Sequence, residues 1–133
     1  MNKEFIPYEE ALALKKLGFN EKCFACFDEK QIFGLTVMSI KKYYTNSKED
    51  TWNCAAPLYQ QVFRWFREEH QLSFECKTPD GKNGKWFPGV HKVNGFGNYY
   101  DNDGFATYEE AQLACLKKLI EIVKNKENEN NNQ

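Results

Sequence analysis

The sequence lacks most of the features by which a function announces itself. It has no apolar run approaching the ~20 residues that a membrane-spanning helix needs. Its opening residues, MNKEFIPYEE, hold no apolar core of a secretory signal. Neither sign of charge is in excess. Lys and Arg number 18 against 19 Asp and Glu, a formal net charge of −1 with a pI near 6.1. That balance excludes the broad attraction on which nonspecific binding to nucleic acid or an anionic membrane depends. Gly89, Gly95, Gly97 and Gly104 fit neither a Walker A loop nor a G-x-G-x-x-G turn. Metal-binding residue types are sparse. Cys23-Phe24-Ala25-Cys26 is one C-x-x-C, but Cys54, Cys76, Cys115, His70 and His91 are each isolated, so no second half of a zinc set follows. A redox C-x-x-C should open a helix, whereas this one lies in strand-like sequence, where residues i and i+3 face opposite ways. No metal and no cofactor are expected. Five cysteines without an export signal read as reduced thiols in a cytoplasmic protein.

What is abundant is aromatic and helix-forming sequence. Aromatic residues make up 16% of 133, a surplus that points to a heavy core or an adhesive face. A chain of this length forms one domain by default. The stretch Ala55 to Leu72 reads as a single amphipathic helix. Leu58, Tyr59, Val62, Phe63, Trp65 and Phe66 fall within an arc of about 160° at the helical period. Gln60, Gln61, Arg64, Arg67 and Glu68 occupy the remaining, wet face.

The other elements follow from local chemistry. Pro7 stands where a first helical residue should, Glu9 and Glu10 suit the first turn, and Gly18 stops the helix, with Phe19 folding back towards Leu14. Cys23–Phe27 and Gln31–Ile40 predict a hairpin turned by Asp28–Lys30. Lys41 to Asn53 reads as a polar loop. Leu72 to Thr78 alternates as a half-buried antiparallel strand, which places Cys76 on the core face. Lys85–Val93 returns as a strand, with Pro88 and Gly89 marking an edge, a bulge or a break. Gly95–Asp101 adds a third. Thr107 caps the last helix, whose core stripe is Ala111, Cys115, Leu116, Leu119, Ile122 and Val123. The fold expected is α+β, of order α-ββ-α-βββ-α, an antiparallel sheet with helices packed on one face. Residues 1–124 form the single domain and residues 125–133 (NKENENNNQ) a disordered polar tail. Tyr8-Glu9-Glu10-Ala11 recurs at 108–111. Two helices sharing start chemistry explain this better than duplication, since the strands between show no second copy.

Three segments, EALALKKLGFNEKCF at 10–24, APLYQQVFRWFREEHQL at 56–72 and TYEEAQLACLKKLIEIVKNK at 107–126, resemble a family of small uncharacterised proteins of bacteriophages and Bacteroidetes genomes. The resemblance covers the two ends and the centre. It implies origin and fold rather than an activity, and it turns attention to phage accessory proteins that bind a host protein or signalling molecule.

No catalytic constellation emerges, and a non-enzymatic protein is expected. Cys76 with His70 or His91 would make a nucleophile pair, but the alternation buries Cys76. His70 stands at a helix C-terminus, where a partly charged imidazole is favoured. Asp101-Asn102-Asp103-Gly104 has its glycine too early for a calcium loop and reads as a turn. Residues 57–124 share the helix, three strands, helix order of double-stranded RNA-binding domains. Their last helix, however, would meet phosphate with Glu109 and Glu110, which argues against nucleic acid. Binding remains. Arg64 and Arg67, neighbours at i, i+3 with Gln61 alongside, suit a carboxylate or phosphate. Trp86, Phe87, Phe96, Tyr99 and Tyr100 could cap the core or stack a planar ligand. The leading expectation is an interaction protein acting on a host protein or on itself. The alternative is a binder that sequesters an anionic nucleotide signal.

Overall fold

A computed structural model describes residues 2–35, 43–47, 53–77, 84–93, 99–100 and 103–131, with Asn2, Tyr99, Tyr100 and Asn131 described by backbone alone. The fold is α+β, and its element order is the expected one with one strand added. A 3-10 turn at Asn2–Glu4 precedes α1 (Tyr8–Lys16), β1 (Ala25–Phe27), β2 (Phe33–Leu35), β3 (Cys54–Ala56), α2 (Tyr59–His70), β4 (Leu72–Lys77), β5 (Phe87–Lys92), β6 (Tyr99–Tyr100) and α3 (Tyr108–Asn131). The strands form two three-stranded antiparallel sheets instead of one, in the orders β2-β1-β3 and β4-β5-β6. Internal contacts divide the chain into two compact units, Met1–Val62 and Phe63–Gln133. The unlike strand orders favour shared helix chemistry over duplication as the origin of the repeated Tyr-Glu-Glu-Ala.

In the first unit α1 begins after Pro7, which is extended and so takes the N-cap position rather than the first helical one. Its end follows the expected glycine stop. Gly18 has φ +96°, the Gly18 N–H reaches the Lys15 carbonyl at 3.2 Å and the Phe19 N–H reaches the Leu14 carbonyl at 3.0 Å. Leu14 and Phe19 are both fully buried. Helix α1 packs on β3. The β1–β2 hairpin turns on Asp28, whose Oδ1 accepts from the Lys30 and Ile32 N–H groups at 2.8 and 2.9 Å. Tyr8, Phe27, Phe33 and Phe5 form an edge-to-face aromatic chain with centroids 5.0–5.8 Å apart.

The strand β3 lies where a helix start was expected. Pro57 explains the difference, because the residue before a proline is driven out of the α region towards extended backbone. Ala56 therefore stays in a strand, and α2 begins only at Tyr59. The face of α2 is as expected: Tyr59, Val62, Phe63, Trp65 and Phe66 are buried, while Gln60, Arg64, Arg67 and Glu68 are exposed. The polar stretch before β3, read as a loop, is anchored in its described part. Tyr44 is buried and exchanges backbone hydrogen bonds with Cys23 at 2.7 and 2.8 Å. Asn46 donates to the Phe19 carbonyl and accepts from the Ala55 N–H, both at 2.8 Å.

In the second unit α3 packs across β4 and β5. Pro88 and Gly89 lie in β5, the central strand, not at an edge. Pro88 pairs with Cys76 of β4, and among the described residues β6 pairs with Gly89 and Val90. The Thr107 hydroxyl caps α3 by accepting from the Glu110 N–H at 3.2 Å. Ala111, Cys115, Leu116, Leu119 and Val123 are buried and Ile122 half-buried, close to the expected stripe. Beyond residue 124, where a polar tail was expected, α3 runs on to Asn131. Extending a helix whose nucleus is already packed needs only one residue ordered per added bond, and the Lys and Glu of this segment are good helix formers.

Candidate functional site

The six residues expected to bind are divided between the two units, Gln61 in the first and Arg64, Arg67, Trp86, Tyr99 and Tyr100 in the second. Gln61 belongs to the first unit, where it is half-buried and its Nε2 donates to the Lys22 carbonyl at 2.8 Å. It ties the start of α2 to the approach of β1 and so has a structural task. Arg64 and Arg67 are exposed on the same turn of α2, within the second unit. Trp86 is half-buried and exchanges two backbone hydrogen bonds with Phe105, each 2.7 Å. Its ring meets Tyr108 edge-on, with centroids 5.3 Å apart. Tyr99 and Tyr100 supply β6, registered opposite Val90 and Gly89. Phe96 and residues 101–102 of the acidic turn lie outside the described residues.

Among the described residues, no group of three or more His, Cys, Asp or Glu could hold a metal ion. None of the five cysteines is paired in a disulfide. Cys23 and Cys26 sit on strand-like backbone as expected, both buried. Burial, with Glu21 adding to it, pushes the Cys23 thiol up to about 12. Burial likewise raises Cys26, and it lifts Cys54 to about 11 against the pull of Lys15. Thiols held so high carry almost no thiolate near neutrality, so these three pack as small apolar groups.

Cys76 departs from expectation. It is half-buried instead of closed in the core, and it neighbours Cys115 of α3. The Cys115 Sγ lies 3.6 Å from the Glu75 carbonyl oxygen and 3.7 Å from that of Gly89. A hydrogen bond from Cys115 holds the Cys76 thiol below its ordinary value, against burial and the charge of Glu75. The same bond and burial push Cys115 up. His70 is also corrected. The helix C-terminus was expected to favour its charged form, but burial, with its ring against Trp65 and Phe66, lowers its pKa.

The surface that sequence reasoning missed is apolar and lies in the first unit. Among the described residues five large hydrophobic side chains are exposed. Three of them, Phe24 at 61%, Ile32 at 60% and Tyr43 at 43%, belong to this unit. The bridge between Cys23 and Tyr44 sets Phe24 opposite Tyr43 in the antiparallel register. The Lys22 Nζ stands 4.7 Å from the centre of the Tyr43 ring. A signal for Phe24 was present in CFACF: alternation puts it on the face opposite the buried Cys23 and Ala25. Tyr43 had none, because its pairing with the segment before β1 is non-local.

No helix among the described residues is long and apolar enough to cross a membrane. Comparison with protein-family models, with curated proteins and with solved structures finds no match to this chain.

Proposed function

We propose that this protein is a non-enzymatic interaction module whose first unit grips a protein partner through Phe24, Tyr43 and Ile32. One observation carries the reading: two aromatic side chains, placed opposite each other by the 23–44 bridge, stand exposed instead of joining the adjacent aromatic core. Exposed aromatic side chains set opposite each other mark contact surfaces, since aromatic anchors supply much of the energy at such contacts, and Ile32 adds an exposed apolar side chain to the same unit. Lys22 beside the Tyr43 ring adds a polar rim, as interfaces of this kind commonly have. The resemblance of three segments to phage and Bacteroidetes proteins supports a phage accessory role with a host protein as the partner.

The experiment is a comparison of captures from a bacterial lysate by the native chain and by the Phe24→Ser, Tyr43→Ser variant. A partner retained by the native chain and lost by the folded variant is expected. An unchanged set of captured proteins would remove the reading.

A second reading rests on the exposure of both Arg64 and Arg67 at i, i+3, which suits bidentate recognition of an anionic nucleotide. Thermal shift against a nucleotide panel tests it: a rise in Tm with one ligand, abolished in Arg64→Ala, Arg67→Ala, is the supporting result. The α2-β4-β5-β6-α3 order of the second unit is also that of a double-stranded RNA-binding module. Glu109 and Glu110, exposed at the start of α3, oppose phosphate there.

A further inference from the structure

The second unit brings two thiols together from distant parts of the chain. Cys115 belongs to the buried stripe of α3 and is 1% exposed. Its sulfur rests over the registered pair Glu75 and Gly89, 3.6 and 3.7 Å from their carbonyl oxygens. Cys76 is the next residue on β4, opposite Pro88. The Cys115 sulfur thus touches the backbone at the residue before Cys76, and its thiol is the neighbour that most influences Cys76. Their exposures differ: Cys76 is half-buried and can be reached from solvent, while Cys115 cannot. The Cys115 thiol beside it holds the Cys76 thiol below its ordinary value, whereas burial raises Cys23, Cys26 and Cys54. Only the thiolate attacks an oxidant, so the chain carries one reactive sulfur with a shielded partner beside it.

We propose that Cys76 and Cys115 form a peroxide-oxidisable dithiol, in which Cys76 is the sulfur attacked and Cys115 captures it as a disulfide between β4 and α3. In the first step the Cys76 thiolate attacks one oxygen of a hydroperoxide, ROOH. An S–O bond forms and the O–O bond breaks, leaving Cys76 as sulfenic acid while RO⁻ takes a proton from water and departs as ROH. In the second step the Cys115 sulfur attacks the Cys76 sulfur. The S–S bond forms, the S–O bond breaks, and the leaving hydroxide takes the Cys115 proton away as water. Two electrons pass from the two sulfurs to the peroxide, and no further reductant is needed.

The test uses the full chain, reduced and freed of reductant, then treated with hydrogen peroxide and mapped by peptide mass spectrometry. The expected first product is a cross-linked peptide joining Cys76 and Cys115, with Cys76 consumed about tenfold or more faster than Cys23, Cys26 or Cys54. In Cys115→Ser the sulfenic acid has no partner, and Cys76 is trapped by dimedone. Oxidation of all five thiols at similar rates would overturn the proposal. So would loss of Cys76 with the Cys115 thiol retained. If Cys115→Ser does not fold, the native map decides alone.

Discussion

Phe63 lies flat on Phe74, with ring centroids 3.7 Å apart and planes 19° from parallel. This stack joins α2 to β4 inside the second unit, across a connection of only a few residues. Phe63 is 3% exposed and Phe74 half-buried. Truncating Phe63 to Ala should therefore cost about 3–4 kcal/mol, and truncating Phe74 about 2–3 kcal/mol, from lost transfer energy and the cavity left behind. A double-mutant cycle followed by urea unfolding should return a coupling of about 0.5–1.5 kcal/mol. Additive losses would mean that each ring packs on other neighbours more than on its partner.

Gly104 is required twice over. Its φ is +73°, and a Cβ there would stand 2.8 Å from Phe87 Cε1 and 3.0 Å from Lys85 Cβ. Gly84 has a similar φ of +62° but open space around it. Gly84→Ala should cost about 1–2 kcal/mol from backbone strain alone. Gly104→Ala should cost visibly more, since Phe87 begins β5 and cannot yield without disturbing it. Thermal melts of the two variants check this, and equal losses would show that Phe87 moves aside freely.

The contrast between these glycines illustrates what a sequence can disclose. Asp101–Gly104 reads as a turn; residues 101–102 lie outside the described residues, Gly104 has a positive φ, and the crowding of its position by Phe87 depends on a fold-back invisible to local pattern. Helix ends were legible wherever one residue type has one mechanism: Gly18 with Phe19, and Thr107 with Glu110. The start of α2 was not, because apolar periodicity runs through Ala55 and Ala56 while Pro57 acts against it; the proline's steric rule prevailed. The binding candidates fared differently again. Arg64 and Arg67 were readable as a wet helical face. The use of Gln61 as a tie to Lys22, the opposition of Phe24 to Tyr43 and the meeting of Cys76 with Cys115 all span long sequence separations, where periodicity carries no information.

Gln31 closes the β1–β2 turn with φ +66°, and its N–H reaches the Asp28 carbonyl at 2.9 Å. A side chain in this region carries strain that glycine avoids. Gln31→Gly should raise stability by about 0.5–1 kcal/mol, the relief of strain being partly offset by a more flexible unfolded chain. Asp28→Ala should act oppositely, losing about 1 kcal/mol as two backbone N–H groups exchange a fixed acceptor for water. Chemical denaturation of both variants tests the pair. Destabilisation by Gln31→Gly would place the residue's contribution in side-chain contacts instead.

His70 sets the expected response to acid. Burial lowers its pKa from the ordinary 6.5, with Lys126 acting the same way, while Glu127 and Glu69 pull it upward. In the unfolded chain the imidazole returns to its ordinary value. Between the two values the unfolded chain holds more protons than the fold, so stability rises with pH across that interval. The contribution is complete above 6.5. It declines as pH falls below that point and levels off once the folded-state value is passed. Glu127→Gln removes an upward pull, so it should lower the folded value further and steepen the loss. His70→Gln, which cannot charge, should flatten the profile between about pH 7 and pH 5. Proton NMR of the imidazole resonances measures the folded titration directly, with His70→Gln identifying the signal. A His70 midpoint below 6.5 is expected. A midpoint above it would mean that the acidic neighbours and the end of α2 outweigh burial against Trp65 and Phe66, and the slope of stability with pH would reverse.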